Sequence, residues 1–256
     1  MIDTHAHLFD EAFENDLEEC LKRCEENFID KIMLVGFSHD TNKLAQLLAS
    51  RYPIFFPTAG LHPSEAGTSY KEDLAHLKDF LRNHKVYAVG ECGLDYHYGK
   101  ENSDLQKALF RGQIELAIEF NLPLIIHMRD ASADVYDIVK SYQGKVRGVM
   151  HCYSGSLEMA REWIKLGFYI SLGGPVTFKN AKESKRVAEG IDLKYLLVET
   201  DCPFLAPTPF RGKRNESSYV KYVCGEIAAI KGIDIEKVIN QTEKNAIELF
   251  GLEDKR

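Results

Sequence analysis

No stretch of this chain approaches the ~20 consecutive apolar residues that span a bilayer. Its start, MIDTHAHLFD, has no basic segment followed by an apolar run. A membrane-spanning helix and a secretory leader are thus not expected, and the cytoplasm is the expected compartment. Positive charge is in deficit as well: 32 Lys and Arg stand against 39 Asp and Glu, a formal net charge of -7. That balance argues against a broad basic surface gripping long nucleic acid, so any polyanion must be met locally. Bound cations reverse the sign inside a pocket, which keeps a phosphate substrate open. Cysteine is sparse: Cys20, Cys24, Cys92, Cys152, Cys202 and Cys224 are scattered, which speaks against a disulfide framework and for reduced thiols. Linkers, charge blocks and low-complexity tracts are missing too, so the 256 residues are expected to form one domain.

What the chain does have is alternation. Short apolar runs that read as buried parallel strands recur between longer amphipathic stretches. The strand candidates are Met1 to His5, Lys31 to Gly36, Ile54 to Gly60, Val86 to Glu91, Leu124 to His127, Gly148 to His151, Phe168 to Leu172 and Tyr195 to Thr200. Helices are expected about Glu11 to Asn27, Thr41 to Ser50, Lys71 to Asn83, Asp104 to Phe120, Ala131 to Tyr142, Leu157 to Leu166 and Ser217 to Lys231. A last one, near Glu236 to Phe250, should pack as a cap, and the Pro-rich piece Pro203 to Pro209 reads as a long loop. Eight βα units in a chain close to the roughly 250 residues of a TIM barrel predict an α/β fold, a single (β/α)8 barrel with C-terminal capping helices. A doubly wound open sheet is second, without the Gly-rich loop that would support it.

On this map His5 and His7, Glu91, His127, His151 and Asp201 all fall at carboxyl ends of predicted strands. In a barrel those ends share one rim, and residues two apart on a strand point the same way, so His5 and His7 converge. A lone H-x-H is weak evidence, Glu91 alone could be an ion-pair partner, and Asp201 alone could cap a turn. Their coincidence at five strand ends is what points to metal. Four imidazoles and two carboxylates exceed the needs of one zinc that keeps a water and suit two divalent cations bridged by a carboxylate. Glu91 is assigned as the bridge, with His5, His7 and Asp201 completing one site and His127 and His151 the other. The donors fit zinc, manganese, iron or magnesium. Cys92, Cys152 and Cys202 each follow a ligand and read as small packing residues.

The segments MIDTHAHLFD, GLHPSEA, VGECGLDYHY, IIHMRDA, HCYSGS and VETDCPFLAP together resemble the successive signatures of TatD-type metal-dependent deoxyribonucleases, over nearly the whole chain. Related amidohydrolases commonly carry a carbamylated lysine at the strand-four position, where this chain has Glu91. The resemblance implies that His5, His7, Glu91, His127, His151 and Asp201 are metal ligands and that Asp201 is also the general base. It further implies that His62 holds substrate phosphate and that Asp95, Tyr153 and Ser154 line the pocket. The stretch from Phe210 to Glu216 resembles the family's basic loop and offers Arg211, Lys213 and Arg214 to a polyanion, with Ser217 where proline is usual.

The expected activity is hydrolysis of phosphodiester bonds in DNA, as a 3′ to 5′ exonuclease on single-stranded ends, with RNA as a second substrate. Water activated by the cation pair and deprotonated with help from Asp201 attacks phosphorus. No membrane or obligate protein partner is expected. The rival readings are an amidohydrolase or lactonase acting on a C-N or carboxylic ester bond at the same centre, and a non-catalytic metal-bound scaffold.

Overall fold

In a computed structural model that describes residues 1–252, strands and helices alternate along the chain. The strands are β1 (Ile2–Ala6), β2 (Lys31–Val35), β3 (Phe55–Thr58), β4 (Val89–Asp95), β5 (Leu124–Arg129), β6 (Gly148–Met150), β7 (Phe168–Leu172) and β8 (Leu196–Val198). The helices are α1 (Leu17–Glu26), α2 (His39–Arg51), α3 (Tyr70–Asn83), α4 (Ser103–Glu119), α5 (Ser132–Lys140), α6 (Leu157–Lys165), α7 (Lys182–Gly190), α8 (Val220–Lys231) and α9 (Ile235–Phe250). No helix among the described residues is long and apolar enough to cross a membrane.

All ladders are parallel, running β1-β2-β3 and β4-β5-β6-β7-β8. Two seams join these runs into a ring. Between β3 and β4, Ala59 pairs with Val89, and Gly90 N donates to Ala59 O at 3.0 Å. Between β8 and β1, Ala6 pairs with Cys202, while Asp201 N donates to His5 O and His7 N to Cys202 O, both at 2.9 Å. The result is the expected (β/α)8 barrel.

The strands are buried on both faces along most of their length, which is why they read as continuous apolar runs. Ile2, Met33, Phe56, Ala88, Ile125, Val149, Tyr169 and Leu197, one from or beside each strand, fill the barrel interior. Ala246, Leu249 and Phe250 of α9 and Leu252 join the same cluster, so α9 plugs the end of the barrel away from the strands' carboxyl termini. The alternate residues, among them Ile32, Leu34, Val89, Ile126 and Ile170, pack outward under the helices.

Helix α7 was not anticipated, because KESKRVAEG buries little more than Val187 and Ala188 and shows no apolar stripe. Strand β4 begins and ends later than predicted, running on to Asp95. The helix expected from Glu11 starts as a 3-10 turn, Glu11–Phe13, before α1, and the one expected from Ser217 begins with another, Ser217–Tyr219.

Two β-bulges decide what faces the barrel mouth. In β1 the register against β2 shifts between Asp3 and Ala6, and in β4 the register against β5 shifts between Val89 and Cys92. Strict alternation from Ile2 and Ala88, both inside, would turn His5, His7 and Glu91 outward. The extra residue in each strand inverts that parity, so Ala6 and Cys92 pack outward and the three polar side chains point in. On β5, β6 and β8 no bulge is needed: His127, His151 and Glu199 lie two residues beyond the interior Ile125, Val149 and Leu197.

Candidate metal centre

At the carboxyl end of β1, His5 Nε2 lies 3.2 Å from His7 Nε2, 3.4 Å from Glu91 Oε2 and 3.7 Å from Asp201 Oδ1. His7 Nε2 lies 3.5 Å from Asp201 Oδ1 and 3.9 Å from Glu91 Oε2. Ligands held at about 2.1 Å in tetrahedral geometry stand about 3.4 Å apart, so these four atoms have the spacing of donors around one cation. His7 Nδ1 is 2.8 Å from Val35 O, which it meets as a donor, so the Nε2 lone pair points into the cluster.

The other oxygen of Glu91 faces a second set. Oε1 is 2.9 Å from His127 Nδ1 and 3.1 Å from His151 Nε2. Each of these rings is held from behind by a carboxylate: Asp95 Oδ2 lies 3.0 Å from His127 Nε2, and Glu199 Oε1 lies 3.2 Å from His151 Nδ1. Imidazoles backed by carboxylates, with Glu91 between two clusters, are a donor set that fits a pair of divalent cations.

The protonation pattern points the same way. Burial opposes the charge on Glu91, but His151, His127 and His5 outweigh it and hold the carboxyl well below its usual range. Asp201 is likewise lowered: burial is outweighed by the His7 hydrogen bond and by the charges of His151 and His5. His5 is pushed down by burial and by His151, which keeps it neutral and able to ligate. Burial also disfavours charge on His151, yet Glu91 and Glu199 raise it well above the ordinary value. Cations would take the place of such protons, satisfying the same carboxylates.

Around this centre the remaining candidates divide. His62 caps the turn Pro63–Glu65, its Nδ1 accepting from Ser64 N at 3.2 Å, and its ring meets His127 edge-on at 4.5 Å between centroids. It lines a cavity of about 250 Å³ together with His7, Glu91 and Asp201. Burial lowers its pKa to about 4, so the ring is neutral. Tyr153 and Ser154 line a neighbouring cavity of about 430 Å³, with the Tyr153 hydroxyl donating to Ser156 O at 2.9 Å. Asp95, expected in the pocket wall, is tied instead to His127 and also borders a third cavity with His62.

Arg211 is exposed, its guanidinium 4.4 Å from the centre of the Phe178 ring. Arg214 has another place: both terminal nitrogens bond Asp16 at 2.6 Å, one also reaches Ala12 O, and the group lies over Phe13. Its donors are engaged in fastening the loop to the start of α1, which does not suit the expected contact with a polyanion. All six cysteines are free thiols, and Cys92 and Cys202 are core residues.

Two buried acids beside this centre, Glu199 and Asp3, escaped the sequence reading. Glu199 Oε1 accepts from Cys152 N at 2.7 Å as well as facing His151. Asp3 accepts from Thr200 N at 2.9 Å and Thr200 Oγ1 at 2.6 Å, locking β1 to the segment that delivers Asp201. The spacing E-x-D at strand eight mirrors H-x-H at strand one and was a usable signal for Glu199. Asp201 and Cys152 both adopt positive φ, 59° and 44°, backbone conformations uncommon outside glycine and clustered here beside the ligand-type groups.

The chain has relatives among known proteins and solved structures. Over 251 residues the chain is 49% identical to the uncharacterized metal-dependent hydrolase YabD of Bacillus subtilis strain 168, covering 98% of each. It is 34% identical over 267 residues to the uncharacterized metal-dependent hydrolase YcfH of Escherichia coli K12, covering 100% of this chain and 97% of that one. The crystal structure of YJJV, a TatD homolog from E. coli K12, superposes with a TM-score of 0.93 at 28% identity, covering 99% of this chain and 98% of the other. The model of the TatD related DNase family matches residues 2–251, and the chain belongs to that family of metal-dependent hydrolases.

Proposed function

We propose that this chain, acting as one catalytic domain, is a two-cation phosphodiesterase that removes nucleotides from the 3′ ends of single-stranded DNA. The observation that carries the reading is Glu91, whose two oxygens face two separate histidine sets across one barrel mouth. His5, His7 and Asp201 would hold one ion and His127 and His151 the other, with zinc, manganese, iron or magnesium as the candidates. Bound there, the ions supply Lewis acidity toward the phosphate and lower the pKa of water.

The protein's own groups do the rest. Asp201 is an ionised carboxylate at the mouth and accepts the proton of the attacking water. His62 is neutral and, because Nδ1 accepts from Ser64 N, carries its proton on Nε2, where it can donate to a phosphate oxygen. Tyr153 and Ser154 wall the adjoining cavity that receives the nucleotide. Arg211 meets the trailing backbone from the rim, while Arg214 fixes the loop that bears it. The net charge of -7 suits a substrate gripped at its end rather than along its length.

The test is digestion of 3′- and 5′-labelled single-stranded DNA by metal-loaded protein, beside lactone and cyclic amide substrates. Stepwise loss from the 3′ end supports the reading, and activity on carbon centres alone overturns it. Asp201→Asn should lower turnover by roughly 10²- to 10⁴-fold in a protein that still folds. Unchanged nuclease activity in that variant would remove the role given to Asp201.

A further inference from the structure

Phe204 and Leu205 expose 54% and 43% of their surface, three and four residues after Asp201. Single apolar side chains on a surface need no explanation, but this pair stands at the barrel mouth. The Phe204 ring lies 6.3 Å from that of His7 and borders the 250 Å³ cavity that holds Glu91 and Asp201. Leu205 borders the 430 Å³ cavity, which also opens onto Asp201. The two residues thus form an apolar ridge serving both cavities.

The ridge is built rather than loose. Asn215, fully buried, donates from Nδ2 to Thr200 O and to Phe204 O, both at 2.7 Å, and its N–H donates to Pro203 O at 3.0 Å. Phe204 N donates to Asp201 O at 2.9 Å. Leu205 sits at φ 54°, and its carbonyl oxygen packs so closely on Gly174 that a Cβ there would meet it at 1.9 Å. With the backbone fixed from both sides, the Phe204 ring is held half exposed beside the centre, edge-on to His7. Two residues are far too small an area for a protein interface of the usual ~1,600 Å². They match the flat face of one heterocycle.

We propose that Phe204, flanked by Leu205, is the platform on which the unpaired base next to the cleaved phosphodiester stacks; this rests on the nuclease reading above. A hydrocarbon ring has no hydrogen-bonding group, so the platform accepts every base and selects for strands whose bases are free. It gives a negatively charged chain a means of holding DNA that does not depend on phosphate neutralisation.

The test compares wild type, Phe204→Ala and Phe204→Trp on a single-stranded oligonucleotide and on a fully abasic strand of the same length, with the melting temperature of each protein as the folding control. On the normal strand Phe204→Ala should raise KM by roughly tenfold, within what a lost base–aromatic stack weighs, and Phe204→Trp should restore it. On the abasic strand the difference between the wild type and Phe204→Ala should vanish. An equal shift on both strands, or no shift on either, overturns the platform and leaves the nuclease reading standing. Cleavage of neither strand by metal-loaded wild type removes the nuclease reading itself.

Discussion

Glu199 offers a sharp test of how the centre is held. It is 1% exposed, and Oε1 alone serves two donors, Cys152 N at 2.7 Å and His151 Nδ1 at 3.2 Å. Glu199→Gln keeps an acceptor oxygen for both and removes the charge. Glu199→Ala leaves these two N–H groups without their partner, each a loss of about 1–3 kcal/mol, so about 2–6 kcal/mol of folding stability should go. Carboxylates behind ligating imidazoles typically weigh 10- to 100-fold in metal affinity. Glu199→Gln should therefore weaken zinc binding at the His127–His151 site about tenfold with under ~1 kcal/mol of destabilisation, and Glu199→Ala about a hundredfold. The assay pairs urea denaturation with zinc titration against a chromophoric chelator. Should Glu199→Ala lose stability while binding zinc as tightly as wild type, the carboxylate is structural only, and the claim that it orients His151 for a cation fails.

Further outcomes follow from other groups. His62, lowered to about 4 by burial, is neutral throughout the working range, so the ratio of kcat/KM between wild type and His62→Ala should stay flat from about pH 5.5 to 8.5. A ratio that falls as pH rises through about 6.5 would show that a charged ring binds substrate. Arg214→Ala should cost about 1 kcal/mol near pH 7, measured by urea denaturation, because it removes a paired contact with half-exposed Asp16. The Asp16 carboxyl is held down to about 2 by Arg214, so this stabilisation is complete above the ordinary carboxylate value and fades as pH falls toward 2. A cost that persists undiminished at pH 2 would contradict the ion-pair account.

The parts of this molecule that were legible in the sequence are those written in local pattern. Apolar runs such as Ile32 to Val35 and Leu124 to Ile126 announce strands because both of their faces are buried. The ligand-type residues stood out because they interrupt such runs at the carboxyl ends. Direction was not legible. His5 and Glu91 reach the interior only through bulges, and a bulge is set by pairing with a neighbouring strand, which the sequence does not state. Pairings across the rim, Asp95 with His127 and Glu199 with His151, depend on the same register. Helix α7 was hidden for the opposite reason: propensity and two buried residues suffice where the barrel already supplies a surface to lie on.

The central claim is that Glu91 sits between two cations at the barrel mouth. Anomalous diffraction from crystals of the protein soaked in zinc or manganese tests it directly. The account predicts two peaks, one contacting His5, His7 and Asp201 and the other His127 and His151, with Glu91 ligating both. A mouth without peaks, or one ion that leaves either histidine set without a metal, would contradict it.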